Sequence, residues 1–308
     1  MSEITRVFRS TGLDKGQFSE VPLSYGHYPD GMPVYNKTDK WFEGATVDAL
    51  MVRPKSMDSF TTALFYADAE AERGRRIKTL ILPFVPGSRQ DRLNPAGDQL
   101  FTLKSVARMI NDRKFDKVVV LDPHSYVTPA LIDRCDVYPL PRLFEDHRYP
   151  AKYVTTTATG NVIVTEKLEG RAWKRDYDAV IAPDAGASKR AFEVAQALGV
   201  EFVQGEKHRD VSTGKLSGFN VPGLLNDKGE YLVVDDICDG GGTFVGLLDA
   251  ARRYESQQFD LFVTHGIFSK GVEALSGFRQ VSTTDSTLFN HTGAYTHNIT
   301  KELYKWSL

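Results

Sequence analysis

The chain has 308 residues, 41% of them hydrophobic and 25% charged, with a formal net charge of −2. A length of this order predicts about two domains, and the composition supplies a large core. The mixed charge excludes a basic nucleic-acid footprint, and without a run of about 18 apolar residues no membrane span is expected.

Residues 1–50 read as short strands with turns. Tyr28-Pro-Asp-Gly31 carries turn chemistry and is flanked by Val21-Pro-Leu-Ser-Tyr25 and Met32-Pro-Val-Tyr35. A helix is predicted over 58–73, with Asp58 as N-cap and Phe60, Leu64, Ala67 and Ala71 along one face. Lys78-Thr-Leu-Ile-Leu-Pro-Phe-Val85 reads as a buried strand. A helix over 100–110 follows, with Leu100, Leu103, Val106, Ala107 and Ile110 spaced for a face, and then the strand Lys117–Asp122. The pattern recurs after Arg148-Tyr-Pro-Ala151. There, strands are expected at 178–183, 200–203, 231–235 and 261–264, helices at 188–198 and 243–254, and a short terminal helix over 300–308. Strands that alternate with helices predict parallel sheets covered on both faces, in two α/β domains of residues 1–148 and 149–308. The polar, glycine-punctuated stretch 205–229 is expected to form a long mobile loop or hairpin of functional use.

The most informative segment is Tyr231-Leu-Val-Val-Asp-Asp-Ile-Cys-Asp-Gly-Gly-Gly-Thr243. A buried strand runs into the carboxylates Asp235 and Asp236, followed by Asp239, Gly240, Gly241, Gly242 and Thr243 at a helix start. Glycines let backbone N–H groups approach a phosphate, and the helix N-terminus adds a favourable field. Two adjacent carboxylates can accept from vicinal hydroxyls, so phosphate and diol together describe a ribose phosphate. The order of residues resembles the ribose-phosphate loop of type I phosphoribosyltransferases. Cys238 inside it reads as a small buried residue. It pairs with Cys135 in no metal-binding spacing, and Met1-Ser-Glu-Ile-Thr-Arg6 has no apolar leader, so a reducing cytoplasmic setting is expected.

Four further motifs follow strands or open the polar loop. Gly87-Ser-Arg-Gln-Asp-Arg92 places Arg89 and Arg92 where they could grip nucleotide phosphates or stack on a base. His124, in Asp122-Pro-His124, could ligate a metal, orient a phosphate or move a proton. Pro183-Asp-Ala-Gly-Ala-Ser-Lys-Arg190 is a second strand-to-helix turn, in which Asp184 could hold Mg²⁺. Glu206-Lys-His-Arg-Asp210 would stabilise transition-state charge if its loop folds over a phosphoryl group.

In joint order, from about Tyr28 to Ser269, these motifs and Thr264-His-Gly-Ile-Phe-Ser269 resemble the ribose-phosphate pyrophosphokinase family. The resemblance implies an α/β fold of two tandem phosphoribosyltransferase type I-like domains, each a mainly parallel sheet flanked by helices, with the active site between them. By position, Arg89, Gln90 and Arg92 would bind ATP, with Tyr28 and Asp30 reaching a neighbouring subunit's nucleotide. His124 and Asp184 would serve Mg²⁺-ATP. Lys207 and Arg209 would close over the transferring group. Asp235, Asp236, Asp239 and Gly240 to Thr243 would hold the ribose phosphate, with Asp239 also serving catalysis. The implied partners are small molecules only, in a homo-oligomer that is a dimer or a hexamer.

Three departures matter. A Thr, Ser or similar residue is usual at the position of Gly240, a Glu at that of Met32, and the chain beyond Ser269 is short and poorly matched. The expected reaction is transfer of the β,γ-diphosphate of ATP to the anomeric hydroxyl of ribose 5-phosphate. The space at Gly240 favours the alternative acceptor ADP-ribose, as in a phage-type branch that looks like this family. A phosphoribosyltransferase would leave Arg89 to Arg92 and His124 without a task, and a non-catalytic regulator should have lost Lys207, Arg209, His124 or Asp184.

Overall fold

The computed structural model describes residues 5–10, 18–22, 25–35, 47–94, 97–145, 151–156, 162–167, 176–209, 216–222 and 226–308, with the backbone alone at 5–10, 18–22, 151–156, 162–167, 207–209 and 216–217. Two compact units result. One is Met1–Tyr138 with Ser286–Leu288 and Thr300–Leu308, and the other is Pro139–Asp285 with Phe289–Ile299.

The first unit holds β1 (Thr5–Ser10), β2 (Phe18–Pro22), β5 (Ala49–Val52), β6 (Thr79–Leu82), β7 (Lys117–Leu121) and β8 (Cys135–Tyr138) in one sheet, in the order β2-β1-β5-β6-β7-β8. From β5 to β8 the pairing is parallel. Ala49–Val52 is buried throughout, and Leu80, Ile81, Leu82 and Val118 to Leu121 likewise. Unbroken apolar runs of this kind are what a sheet covered on both faces requires. A separate antiparallel hairpin, β3 (Tyr25–His27) and β4 (Pro33–Tyr35), displays the turn 28–32.

Helix α1 (Met57–Glu72) begins one turn position earlier than expected. Ser56, not Asp58, is its N-cap: Ser59 N–H donates to Ser56 Oγ and Ser56 N–H donates to Ser59 Oγ, at 3.2 and 3.1 Å. That reciprocal box satisfies two donors at once, which a lone carboxylate cannot. Asp58 instead pairs with His27 at 3.2 Å. Phe60, Leu64 and Ala67 are buried as predicted, but Ala71 is exposed and the buried place beside it belongs to Glu70, held by Arg73 and Arg75. Leu103, Val106, Ala107 and Ile110 form the inner face of α2 (Thr102–Asn111). Leu100 precedes that helix and lies exposed. The short helices α3 (Val127–Leu131) and α4 (Arg142–Glu145) come later in the chain.

The C-terminal helix α7 (Thr300–Ser307) packs on β6 and β7 of this first unit, where the expected division had placed it with the second half. Leu303 and Tyr304 are buried, Trp306 stacks edge-on against Tyr138 at 5.4 Å, and Lys117 Nζ donates to the Trp306 carbonyl at 2.9 Å. The buried Arg53 guanidinium donates to Thr300 Oγ1 at its start.

The second unit carries β9 (Ala151–Thr156), β10 (Val162–Lys167), β11 (Ala179–Ala182), β12 (Glu201–Gln204), β15 (Glu230–Cys238), β16 (Gln258–Gly266), β17 (Gln280–Thr284) and β18 (Tyr295–His297). The order is β10-β9-β18-β17-β16-β15-β11-β12, parallel from β18 to β12. Helices α5 (Ser188–Leu198) and α6 (Gly242–Ala251) follow β11 and β15. The polar stretch expected as loop or hairpin contains the antiparallel pair β13 (Glu206–Arg209) and β14 (Leu216–Asn220). At the amino ends of β15 and β16, Arg279 holds Glu230 and the buried Asp260 at 2.8 and 2.9 Å, and Tyr177 donates to Asp260 at 2.8 Å.

Candidate functional site

In the second unit the chain leaves β11 toward β12 on one side, while β15, β16 and β17 extend the sheet on the other. The strand order therefore reverses between β11 and β15. In open α/β sheets the crevice beyond the carboxyl ends at such a reversal is where ligands bind. Both candidate turns of this unit lie there: Pro183 to Ala187 after β11, and Asp239 to Gly241 after β15.

β15 pairs with β11 only as far as Val233, but with β16 as far as Cys238 opposite Gly266. Asp235 and Asp236 thus lie within the strand, on the length that outruns β11; the expected strand ended at Asp235, and the observed one runs on to Cys238. Asp236 N–H donates to Asp235 Oδ1 at 2.8 Å. Across the open side Arg190, from the first turn of α5, donates through Nη1 to Asp235 Oδ1 at 3.2 Å and to Asp236 Oδ1 at 3.3 Å. Burial pushes the Asp235 carboxyl well above the ordinary carboxylate range, the Asp236 carboxylate adds to that rise, and the Arg190 guanidinium opposes it. The arrangement is a pair of oriented acceptors whose mutual repulsion is held in check by one cation.

The sequence motif contained Arg190 but gave it no role. A signal was present, because Lys189 and Arg190 put two cations in the first turn of a helix, where the helix dipole disfavours them. A cation kept at such an end has a partner worth finding.

Gly241 takes φ +77° and caps α6; a methyl group there would also come within 3.0 Å of Leu275 Cδ2. Gly242 has nothing within 4 Å of the place a Cβ would take, so the first turn of α6 is open to an approaching group. Asp239 is exposed at the loop's start. Cys238 behind it is fully buried, and burial, with Asp239 and Asp235 adding, pushes its thiol up to about 12. It fills space, as expected. After β11, Asp184 Oδ1 accepts from Gly186 N–H at 2.9 Å, and the Asp184 carbonyl accepts from Ala187 N–H at 3.2 Å.

In the first unit the loops after β6 and β7 meet. Arg89, Gln90 and Arg92 are exposed, while Asp91 between them is buried. Arg92 clasps Asp91 through Nε and Nη2 at 2.7 and 3.1 Å. The Arg92 hydrogen bonds, joined by one from Ser125 and the nearby His124 ring, hold the Asp91 carboxyl below its usual range. Asp91 therefore ties the arginine loop to the His124 loop, a link that the sequence reading missed. Tyr28 and Asp30 sit on the exposed β3–β4 turn, where Asp30 Oδ1 accepts from Met32 N–H at 3.1 Å. The side chains of Lys207 and Arg209 lie outside the described residues. His124 belongs to one unit and Asp184 to the other.

Among the described residues no group of three or more His, Cys, Asp and Glu could hold a metal ion. Mg²⁺ does not need one, since it commonly takes one or two protein carboxylates and completes its shell with substrate phosphates and water. Asp184, on a turn at the carboxyl edge, suits that oxygen chemistry. Among the described residues no helix is long and apolar enough to cross a membrane.

No family model matches the chain. Curated proteins do. A ribose-phosphate pyrophosphokinase from Pyrococcus furiosus is 28% identical over 253 residues, covering 81% of this chain and 80% of its own. The Methanopyrus kandleri enzyme of that name is 28% identical over 273 residues, with 86% and 84% covered. The one from Maricaulis maris is 26% identical over 280 residues, with 87% and 81% covered. Over most of its length the chain is thus similar to ribose-phosphate pyrophosphokinases, at about 27% identity. A crystal structure of phosphoribosylpyrophosphate synthetase from Mycobacterium smegmatis matches with a TM-score of 0.69 over 92% of this chain and 87% of that one, at 20% identity. The fold is accordingly that of the pyrophosphokinases, two tandem phosphoribosyltransferase type I-like domains, as the motifs implied.

Proposed function

We propose that the chain transfers the β,γ-diphosphate of ATP to the anomeric hydroxyl of ribose 5-phosphate. The carrying observation is the Asp235–Asp236 pair, buttressed by Arg190 at the strand-order reversal and followed by a glycine-opened helix start. Paired acceptors beside an anion-binding helix terminus match a sugar diol next to a phosphate. Likeness to proteins named for this activity supports the same reading.

In the reaction the anomeric oxygen bonds to the β-phosphorus, the bond from that phosphorus to the α,β-bridging oxygen breaks, and AMP leaves. Such transfers pass through a loose transition state, so the protein mainly positions reactants and spreads charge. Asp235 and Asp236 orient the ribose hydroxyls, Asp239 stands at the reacting end of the loop, and Gly240 to Thr243 receive the 5-phosphate. Arg89, Gln90 and Arg92 hold the nucleotide, with Tyr28 and Asp30 assigned to a subunit-bridging contact. Lys207 and Arg209 neutralise the transferring group. His124 and Asp184 are assigned to Mg²⁺-ATP, where the ion, when bound, neutralises phosphate oxygens. The same reading carries a homo-oligomer, dimer or hexamer, and a cytoplasmic setting.

A specific observation favours a second acceptor. Gly240 puts no side-chain hydroxyl on the phosphate loop, which suits a diphosphate diester, with one charge per phosphorus, better than a doubly charged monoester, so ADP-ribose would yield ADP-ribose pyrophosphate. Incubation with Mg²⁺, ATP and each sugar, following AMP release and product mass, separates the two. No AMP with either would overturn the diphosphotransferase reading.

A further inference from the structure

Lys270 is a cation that no part of the proposed reaction uses. It is exposed, and it has no ion-pair partner among the described residues. Its backbone is nevertheless tightly placed. β15 and β16 are neighbours, and the loops that leave them are joined by hydrogen bonds: Ile267 and Phe268 N–H donate to the Cys238 carbonyl at 2.9 and 3.1 Å, and Ser269 N–H donates to the Asp239 carbonyl at 3.1 Å. Phe268 is buried and packs edge-on against His291 at 5.7 Å. Gly271 N–H closes the turn onto the Phe268 carbonyl at 2.8 Å. Lys270 lies between two of these fixed residues.

Its side chain then crosses the phosphate loop. A methyl group at Gly240 would lie 3.5 Å from both Cδ and Cε of Lys270 and 3.8 Å from Cγ, so the alkyl stem covers the bare Cα of Gly240. The ammonium is one bond, about 1.5 Å, beyond Cε. A Cβ alone would fit, but the γ-atoms of threonine add about another 1.5 Å, into the room the stem occupies. Gly240 and Lys270 therefore form a matched pair: the absence of a side chain at one position gives the other its path.

We propose that Lys270 binds the 5′-phosphoryl oxygens of the acceptor, supplying from the β16 loop the donor that Gly240 lacks. The inference rests on the acceptor site described under Proposed function. An ammonium on a flexible stem is a point charge with three donors, so it serves a phosphate monoester and the sugar-proximal phosphate of a diphosphate diester alike. That shared anion chemistry is what the residue recognises.

The test is equilibrium binding by calorimetry, without turnover, of ribose 5-phosphate, ADP-ribose and ATP to the wild type, Lys270→Ala, Lys270→Arg and Gly240→Thr/Lys270→Ala. Hydrogen bonds to charged groups are worth about 1.5–3 kcal/mol, so Lys270→Ala should weaken the bound acceptor about tenfold to a hundredfold. ATP affinity should stay within about twofold, Lys270→Arg should keep most acceptor affinity, and the double variant should regain part of it through the threonine hydroxyl. The proposal is overturned if Lys270→Ala binds acceptor as the wild type does, if it loses acceptor and ATP equally, or if the wild type binds neither acceptor. If the wild type binds an acceptor through Lys270 yet releases no AMP, Lys270 stands and the diphosphotransferase reading falls.

Discussion

Arg190→Gln tests the electrostatics of the candidate diol site most directly. The guanidinium contacts two carboxylates at 3.2 and 3.3 Å, and the side chains of Arg190, Asp235 and Asp236 are only 11%, 14% and 6% exposed. At an effective dielectric of about 20 each contact is worth about 5 kcal/mol before desolvation is subtracted. Breaking a buried pair by removing one partner typically costs about 3–5 kcal/mol. The variant has an escape, because one carboxyl can take up a proton. Asp235 already sits above the ordinary range through burial and its neighbour, with Arg190 the opposing influence. Without Arg190 its folded value rises further above the unfolded one, so the folded state holds a proton that the unfolded state releases, and stability falls as pH rises. Between the Asp235 pKa with Arg190 and its higher value without, the gap between wild type and variant should widen by about 1.4 kcal/mol per pH unit. Denaturant unfolding of both proteins from about pH 5 to about pH 8.5 reads this slope. A loss equal at both ends of the range would refute the coupling and leave Arg190 a packing residue.

Two other perturbations probe the second unit away from the candidate site. His297 is fully buried, and burial lowers its imidazole from 6.5 to about 3. The unfolded chain therefore takes up a proton below pH 6.5 that the folded chain refuses, so stability is lost as pH falls, by about 2 kcal/mol at pH 5. His297→Asn should flatten this slope in acid unfolding whatever its effect on absolute stability, and an unchanged slope would sink the assignment. Arg279→Met strips the buried Asp260 of its cation and should cost about 3–5 kcal/mol in denaturant unfolding, with most of it regained by adding Asp260→Asn. The network lies at the amino ends of β15 and β16, so AMP release at a permissive temperature should persist; its loss would tie that end of the sheet to the reaction.

Which parts of this structure the sequence announces follows from what each part depends on. The cores of β6, β7 and β15 are unbroken apolar runs because both faces are covered, and such runs are visible without coordinates. The Ser56 cap is legible in principle, since a Ser-x-x-Ser spacing precedes the apolar face, but Asp58 offers a capping oxygen of equal preference two residues on. Leu100 fits the helical period but belongs to the loop before the helix, and period alone does not fix an end. The partner of α7 could not be read at all. Its apolar residues require a surface to cover, but nothing local says that the surface is built from residues about two hundred positions earlier. The same limit hid Arg190 and Lys270, whose roles exist only because α5 and the β16 loop are brought to β15.

The candidate site arises from a mismatch in strand length. Had β11 run as long as β15, its backbone would pair with the free edge of β15 beside Asp235 and Asp236, and α5 would start too far along to bring Arg190 to them. Because β11 stops, Arg190 can enter from the helix that follows it. Because β16 does not stop, the overhang of β15 stays hydrogen-bonded and straight on its other side, and the β16 loop can be joined to the phosphate loop. One neighbour too short and one long enough give two adjacent acceptors a fixed direction, a cation behind them and a second cation across the glycines. Two carboxylates in sequence ordinarily repel and turn to opposite faces of a strand. Here the cost of keeping them together is met by Arg190 of the helix that the Asp184 turn leads into. Extending β11 with strand-forming residues at Pro183 should therefore disrupt the carboxylate pair and the Asp184 turn together, whereas a change confined to either loop should affect its own half alone.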